Sequence, residues 1–336
     1  MSRIMSPPAR CTFFLAGEDV ESLSRLDPDR DWRELQTGER AWILQTWLRL
    51  RRAGHPVELS ATAPEDGLVV FHAKQAKELL RQRSRLRTSI LVAARADNRQ
   101  SLIADFEILQ NGFFADGRRR FAIPHWPQSG LVPRDPARGE RIERIAYKGF
   151  AANLHPDFRT PAWTGFLAQE GIEWVVDAVE FDGRNRRELD WPDFRTVDLA
   201  LAVRPAERKQ RRSKPATKLF NAWLAGVPAL LGPELAFQEL RRSELDYLEV
   251  ASVADAREAV LRLRRDPGLY RAMVENGLRR GEEFTHEALV ARWAKLLFET
   301  IPTQAEHRSD LFRRLPLPAR AAGRWLTRMV ALRPAR

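Results

Sequence analysis

The stretch that decides the fold runs from residue 197 to residue 234 and reads VDLALAVRPAERKQRRSKPATKLFNAWLAGVPALLGPE. It begins with an apolar run over 197–203, which predicts a buried strand, and a basic loop follows. A helix is predicted over 215–225, because Ser213 or Lys214 suits its cap and Pro215 suits its first turn. A second apolar run over 227–231 completes a strand, helix, strand unit typical of parallel sheets.

The same alternation extends over most of the chain. Apolar or β-branched runs predict strands at 11–16, 56–59, 67–71, 89–94, 144–147 and 173–176. Helical spacing of apolar residues predicts helices at 42–50, 74–81 and 160–169. Strands that alternate with helices imply parallel sheets whose two faces are covered.

A proline-rich segment divides the chain. Residues 124–139 read PHWPQSGLVPRDPARG, which is incompatible with a continuous helix or a central strand. A length of 336 residues also suits two domains better than one. The sequence therefore predicts an α/β protein with an N-terminal Rossmann-like domain over 1–135, a second over 142–300, and a basic tail over 308–336.

Composition narrows the class of protein. The formal charge is +11, with 56 Lys and Arg against 45 Asp and Glu, which favours anionic partners such as nucleic acid, anionic lipid or phosphorylated small molecules. Cys11 is the single cysteine, so an intrachain disulfide and a thiolate zinc site are excluded. The first residues resemble no signal peptide, and no apolar run reaches the roughly 20 residues of a membrane span. We therefore expect a cytoplasmic protein.

The basic loop of residues 197–234 is a candidate phosphate site. The free amides of Ala216, Thr217 and Lys218 would lie at the positive end of the predicted helix, which suits a diphosphate. Ligands of open parallel sheets lie outside the carboxyl ends of the strands, where this helix starts. Arg204, Lys214 and Lys218 are the candidate phosphate-binding side chains. The alternative is a basic loop that is merely solvated.

Two segments resemble the GT-B glycosyltransferases. NAWLAGVPALLGPE, residues 221–234, is similar to the donor-domain signature of that superfamily, with Gly226 at the helix exit and Pro228 opening the next strand. GERAWILQTWLRLRRAGHPVEL, residues 38–59, is more distantly similar to its first loop, helix and strand. The resemblance implies two parallel sheets that face each other across a cleft. It also implies transfer of a sugar from a nucleotide-sugar donor to an envelope polysaccharide or glycolipid acceptor.

The resemblance also implies donor contacts, with one departure. Many retaining members carry two glutamates eight positions apart, where this chain has Ser213 and Asn221. Asn221 would still hydrogen-bond a hydroxyl, and Glu234 would supply the missing acceptor. Thr217 belongs to the same helix start, and Lys148 is a looser match to a second phosphate or acceptor contact, for which a structural role is an equal alternative.

The first domain supplies the acceptor candidates. His72 ends the predicted strand of residues 67–71, where its ring would act as a base or orient the acceptor hydroxyl. Gly38, Glu39 and Arg40 open the long first helix and are predicted to touch the acceptor or the diphosphate. The structural alternatives are a capped strand-end histidine and an ordinary helix start.

No metal is expected. Asp27, Asp29 and Asp31 match the Asp-x-Asp pattern of metal-dependent glycosyltransferases, but they lie in a polar turn ahead of a helix, where capping is the better interpretation. The predicted reaction is therefore metal-independent.

The C-terminal tail has a segregated pattern. Arg320, Arg324 and Arg328 share one helical face, and Trp325 and Met329 lie on the other. This pattern predicts a basic amphipathic helix on an anionic membrane surface, with a helix packed back on the protein as the alternative.

Two other classes of function remain open. The arginine runs at 81–87 and 118–120 suggest nucleic-acid binding, but they lack interleaved aromatics and a recognised module, so no nucleic-acid partner is expected. A catalytically silent scaffold with the same fold is the second alternative, because of the missing glutamates.

Overall fold

The computed structural model describes residues 10–82, 89–179, 189–205, 214–307 and 316–331. The chain forms two compact units. Unit 1 comprises Met1–His125 together with Leu289–Arg336, and unit 2 comprises Trp126–Ala288. Each unit is built on one parallel sheet with helices, so the predicted plan of two Rossmann-like domains is confirmed.

The sheet of unit 1 has six strands. They are β1 (Cys11–Phe14), β2 (Val57–Ser60), β3 (Leu68–His72), β4 (Ile90–Ala96), β5 (Phe106–Leu109) and β6 (Arg120–Ala122). The order is β2-β1-β3-β4-β5-β6, and every pairing is parallel. The strands β1, β3 and β5 are buried along their whole length, as expected of a sheet that is covered on both faces.

The first three helices belong to unit 1. They are α1 (Val20–Leu23), α2 (Gln45–Arg52) and α3 (Ala76–Arg81). A π-helical turn, Arg40–Leu44, leads into α2, and a 3₁₀ turn, Ala73–Gln75, leads into α3. The 3₁₀ turn directly follows the carboxyl end of β3, and Gly38, just before the π-helical turn, lies against His72 at that strand end. Ligands of parallel sheets bind at such strand ends.

The sheet of unit 2 has five strands. They are β7 (Arg144–Phe150), β8 (Glu173–Val179), β9 (Leu199–Ala202), β10 (Ala229–Leu231) and β11 (Leu248–Glu249), in the parallel order β11-β10-β9-β7-β8. The helices are α4 (Pro161–Gln169), α5 (Thr217–Ala225), α6 (Leu235–Leu240), α7 (Val253–Arg265) and α8 (Pro267–Gly281). Their apolar faces bury Trp163, Trp223 and Tyr270 against the sheet.

The predicted helix exit of α5 is confirmed. Gly226 is its C-cap and adopts φ 65°, a left-handed conformation that a side chain would strain. The amide of Val227 then donates to the carbonyl of Ala222, which ends the helix and turns the chain toward β10. The start of α5 differs from the prediction: Ala216 is the N-cap, without a side-chain hydrogen bond, and Ser213 lies outside the described residues.

A buried aspartate fixes the amino end of β9. Asp198 is fully buried, and its carboxylate accepts hydrogen bonds from the guanidinium groups of Arg134 and Arg138. The amides of Glu143 and Arg144 donate to it as well. These five residues form the Asp198 cluster, which attaches the proline-rich segment to the sheet.

The domain boundaries differ from the predicted ones. The proline-rich segment from Trp126 onward packs in unit 2, because the amides of Val132 and Arg134 donate to the carbonyls of Pro192 and Ala225. At the other end the chain returns to unit 1 at Leu289 instead of ending the second domain near residue 300. Trp293 explains the return, because it is fully buried against Trp42, with 6.3 Å between the ring centroids.

The last helices are α9 (His286–Lys295), α10 (Ile301–His307) and α11 (Leu317–Ala331), with a π-helical turn, Leu296–Thr300, between the first two. Leu317, in the first turn of α11, is buried in the apolar core of unit 1. Within the described ranges, no helix is long and apolar enough to cross a membrane.

The predicted basic face of the tail is wrong for two of its three arginines. Arg320 and Arg324 are 2% and 5% exposed and pair with the carboxylate of Asp105 at 3.5 Å and 2.8 Å. Trp325, beside Arg324 in the chain, is exposed at 51%. The helix therefore packs back on unit 1, because an aspartate at the amino end of β5 needs cationic partners. The side chain of Arg328 lies outside the described residues.

Candidate functional site

The carboxyl ends of β9 and β10 bring two predicted residues together. Arg204 follows β9, Glu234 follows β10, and Arg204 Nη1 donates to Glu234 Oε2 at 2.7 Å. Their side chains are 12% and 2% exposed. The arginine and the glutamate were predicted as separate phosphate and ribose contacts, whereas the structure joins them as one ion pair.

Lys218 lies beside this pair, in the first turn of α5. Its ammonium donates to the carbonyl oxygen of Lys148 and stands 4.4 Å from the centre of the Tyr147 ring. Burial and the positive charge of Arg204 together lower the pKa of Lys218 to about 7, against the opposing effect of Glu234. The ammonium thus stands among groups that stabilise its charge poorly, so an incoming anion would be its best partner.

The strand end at residues 147–150 shapes the floor of this site. The Tyr147 hydroxyl donates to the carbonyl of Phe150 at 2.6 Å, and burial raises the pKa of this phenol. Gly149 adopts φ 151°, and a Cβ built there would lie 2.5 Å from Lys218 Nζ. The backbone therefore favours glycine, and any side chain here would displace the Lys218 ammonium.

Lys148 has its own partners. Its ammonium donates to Asp177 Oδ2 at 3.2 Å and to the carbonyl of Asp190 at 2.7 Å, and it lies 5.4 Å from the Phe194 ring centre. The side chain of Lys148, predicted to contact a phosphate or the acceptor, is thus bound to β8 and to the loop at Asp190. Its main-chain carbonyl, which receives Lys218, is what connects it to the site.

The remaining predicted donor residues lie along α5. Asn221 Oδ1 accepts the amide of Gln128 at 3.0 Å, so this side chain anchors the proline-rich segment. The hydroxyl of Thr217 is buried and makes no hydrogen bond to any described residue. Lys214 is half-buried just before the helix. The Thr217 hydroxyl is consequently available to bind a ligand, whereas Asn221 already accepts a hydrogen bond from the proline-rich segment.

In unit 1, His72 ends β3 and is fully buried. Its Nδ1 lies 3.6 Å from Glu39 Oε1, and the ammonium of Lys74 is 3.6 Å from the same oxygen. Burial lowers the pKa of His72, Glu39 and Asp97 oppose that effect, and Lys74 adds to it. The ring therefore favours its neutral form at physiological pH.

Gly38 and Asn98 contact the same imidazole. A Cβ built on Gly38 would lie 3.3 Å from Cε1 of His72, so the main chain of the helix start packs directly on the ring. Asn98 Nδ2 lies 3.4 Å from His72 Nε2. The sequence prediction missed Asn98, although its place just after β4 and beside β3 follows from the rule that strand ends of a parallel sheet converge.

A strained residue precedes Asn98. Ala96 has φ 50°, which is uncommon for a residue with a Cβ, and it sits at an irregularity in the β4–β5 pairing. The tight turn that follows lets Asn98 Nδ2 donate to the carbonyl of Arg95 at 3.2 Å. Strain of this kind concentrates at functional positions, where the surroundings hold it in place.

Arg40 makes its ion pairs with residues outside the group around His72. Its guanidinium pairs with Glu18 at 2.8 Å and with Glu34 at 2.7 Å, and these contacts raise its pKa. It therefore joins the loop after β1 to the start of the π-helical turn.

The acidic turn of residues 27–31 is structural. Asp27 Oδ1 accepts the amides of Asp29 and Arg30, and Asp27 and Asp29 pair with Arg52 on α2. Among the residues that the structure describes, no group of three or more His, Cys, Asp or Glu could hold a metal ion.

Comparisons with known proteins agree on the fold. No family model and no curated protein matches the sequence. HepE from Anabaena, solved with UDP and glucose and again with UDP-glucose, superposes with a TM-score of 0.53 and 12% identity over 86% of this chain and 99% of HepE. S. aureus TarM matches with a TM-score of 0.49 and 7% identity, and the chain covers 58% of its length. The similarity to HepE shows that the chain has the GT-B glycosyltransferase fold.

Proposed function

We propose that the chain is a glycosyltransferase whose unit 2 binds a nucleotide-sugar donor. The observation that supports this most directly is the position of Lys218, a half-buried ammonium beside Arg204 at the carboxyl end of a parallel sheet, with a pKa lowered to about 7. Buried charge without a strong partner is costly, and it is typically retained where a ligand supplies the opposite charge. A diphosphate is the ligand chemistry that this position fits best.

The chemistry follows from that position. In the transfer, an acceptor hydroxyl oxygen forms a bond to the anomeric carbon, and the bond from that carbon to the diphosphate oxygen breaks. The hydroxyl proton passes to a base, and the nucleoside diphosphate leaves with added negative charge. The ammonium of Lys218 stabilises this developing charge, and Arg204, oriented by Glu234, is the second contributor.

The other donor contacts are assigned by position. Thr217 offers a buried hydroxyl in the same helical turn, and Lys214 adds positive charge just before it. Glu234 orients Arg204 and is assigned as the acceptor for a ribose hydroxyl. Lys148 contributes its carbonyl to Lys218, and Asn221 keeps α5 attached to the proline-rich segment.

We infer that unit 1 binds the acceptor at the edge that carries His72, Glu39 and Gly38. An envelope polysaccharide or glycolipid acceptor remains a prediction of the resemblance, and a cytoplasmic location remains a prediction of the composition. HepE was solved with UDP-glucose, which makes UDP-sugars the first donors to test here.

Contact with a membrane surface is a separate prediction. With Arg320 and Arg324 buried, the large apolar side chains exposed on the described part of the tail helix are Trp325 and Leu326, at 51% and 57%. Changing both to Ser is expected to lower sedimentation with anionic vesicles if the tail touches lipid. Equal sedimentation of wild type and variant would exclude the tail as the contact.

A thermal-shift screen against nucleoside diphosphate sugars tests the proposed function. A donor at 100 times its dissociation constant should add about 2.7 kcal/mol to the free energy of unfolding. Turnover should persist in excess chelator, because side chains neutralise the leaving group; activity that returns only with added manganese or magnesium would contradict that. Donor binding with no turnover on any glycan acceptor would instead favour the catalytically silent scaffold. That alternative stays open because Asn221, predicted to contact the donor, accepts a hydrogen bond from the Gln128 amide.

A further inference from the structure

The imidazole of His72 has a defined tautomer. Asn98 Nδ2 donates to the carbonyl of Arg95, which fixes the amide with its nitrogen toward the ring. An amide nitrogen only donates, so His72 Nε2, 3.4 Å away, must accept from it. The ring proton of neutral His72 is therefore on Nδ1.

That proton points toward a carboxylate. Nδ1 makes no hydrogen bond to a described residue, and Glu39 Oε1 lies 3.6 Å from it, a gap that a small side-chain rotation closes. Hydrogen bonds at catalytic positions are often long before a ligand binds. The ammonium of Lys74 is near the same oxygen, so Glu39 Oε1 faces both His72 and Lys74. The other carboxylate oxygen, Oε2, can then accept a hydrogen bond from a ligand.

His72 and Glu39 differ in solvent exposure. Within unit 1 His72 is fully buried, with its Nε2 lone pair directed at Asn98, whereas the side chain of Glu39 is 25% exposed. The Gly38 main chain covers the ring edge as well. A hydroxyl that reaches this edge of the sheet meets the carboxylate before it meets the imidazole.

We propose that Glu39 is the catalytic base that receives the acceptor hydroxyl and that His72 is a positioning residue behind it. This inference rests on the proposed function. In the transfer step, the hydroxyl proton passes to a Glu39 oxygen while the hydroxyl oxygen bonds to the anomeric carbon and the diphosphate leaves. The Nδ1–H of His72 holds the carboxylate in the orientation that accepts this proton. His72, Glu39, Lys74 and Asp97 are the titratable groups that determine the charge of this cluster.

Ring nitrogen NMR tests the arrangement independently of activity. In ¹⁵N-histidine-labelled protein, with the His72 signals assigned by their loss in His72→Asn, neutral His72 should show a protonated Nδ1 and an unprotonated Nε2. Glu39→Gln should move the pKa of His72 further down, because it removes a negative charge that favours the imidazolium. A protonated Nε2, or a His72 titration that Glu39→Gln leaves unchanged, would overturn the proposal.

Kinetics test the roles. With the nucleotide sugar that gives the largest thermal shift, Glu39→Gln should lose about 10²-fold or more in kcat with little change in donor KM. Glu39→Asp should retain part of the activity. His72→Asn keeps an N–H near the Nδ1 position and should stay within about tenfold of wild type, whereas His72→Leu should fall below it.

The outcomes separate this inference from the proposed function. An active Glu39→Gln variant together with an inactive His72→Asn variant would make the histidine the base and overturn the assignment. If wild type binds no nucleotide sugar, the proposed function fails and this inference fails with it. If wild type binds and turns over donor but Glu39→Gln does the same, only this inference fails.

Discussion

The aspartates at the amino ends of the two sheets are paired differently from Lys218 at the carboxyl end of the unit 2 sheet. At the amino ends, Asp105 and Asp198 are buried, and each pairs with two arginines. At the carboxyl end of the unit 2 sheet, Lys218 is half-buried among a carbonyl, an aromatic ring and another cation. Complete pairing indicates a structural role, and incomplete pairing indicates a position that a ligand completes. The four arginines of these two clusters therefore stabilise the fold.

The largest expected effect comes from breaking the Asp198 cluster. Asp198→Ala leaves Arg134 and Arg138 without their shared carboxylate in a buried position, which should lower the free energy of unfolding by about 3–5 kcal/mol. Urea denaturation followed by tryptophan fluorescence measures this change. Asp157→Ala is the matched control, because the Asp157 side chain is 62% exposed, and it should stay within about 0.5 kcal/mol of wild type. Equal stability of the two variants would contradict the structural role of the cluster.

Lys218 should behave in the opposite way, with a large effect on catalysis. Lys218→Ala should reduce turnover by about 10²-fold, because the charge on the leaving diphosphate grows toward the transition state. The loss should appear in kcat as well as in KM. Lys295→Ala is the control, because Lys295 is exposed at the end of α9. If Lys218→Ala and Arg204→Ala both keep wild-type turnover and donor affinity, the donor site lies elsewhere.

The sequence predicted the fold better than the site. Strand and helix periodicity located the four strands β1 to β4 and the unit around α5, because apolar spacing reports burial directly. It missed β5 and β6, since Glu107 and Arg120 interrupt their apolar pattern. It also placed the unit boundaries incorrectly, because the burial of Trp293 beside Trp42 is a contact between residues far apart in the sequence.

The sequence identified which residues belong to the candidate site. It could not show which of them contact each other. Arg204, Glu234 and Lys218 were each identified from strand ends and a helix start, yet their mutual contacts depend on the parallel register. The arginines of the tail show the same limit. Helical spacing placed them on one face but could not show that Asp105, more than 200 residues earlier, would bury that face.

A smaller effect is expected from Asp105 and its partners. Arg324→Ala removes the 2.8 Å partner of a buried carboxylate and leaves Arg320 at 3.5 Å, so the free energy of unfolding should fall by about 1–3 kcal/mol. Trp325→Ala, one residue away on the exposed side, should change it by less than about 0.5 kcal/mol. Thermal and urea denaturation of both variants measure these changes in stability. If Trp325→Ala destabilised the protein and Arg324→Ala did not, the face of the helix that packs on unit 1 would be the opposite one.

The smallest effect is a pH dependence that distinguishes Lys218 from the paired arginines. The pKa of Lys218 is about 7 in the folded chain against an ordinary value of 10.5. Between these values the unfolded chain binds a proton that the folded chain releases, so this lysine makes stability rise with pH. Lys218→Met removes the charge and roughly keeps the volume of the side chain. The variant should therefore melt higher than wild type at pH 6, by a few degrees in order of magnitude. That advantage should shrink as the pH approaches 9, because wild type then folds with a neutral lysine. Melting temperatures from pH 6 to pH 9 measure the difference, with Lys295→Met as the variant that should show no trend. Saturating nucleotide sugar should abolish the advantage at pH 6, since bound diphosphate stabilises only the wild-type ammonium. A constant difference across the pH range would mean that Lys218 stays fully charged in the folded chain, and the comparison between paired and unpaired cations would then lose its strongest case.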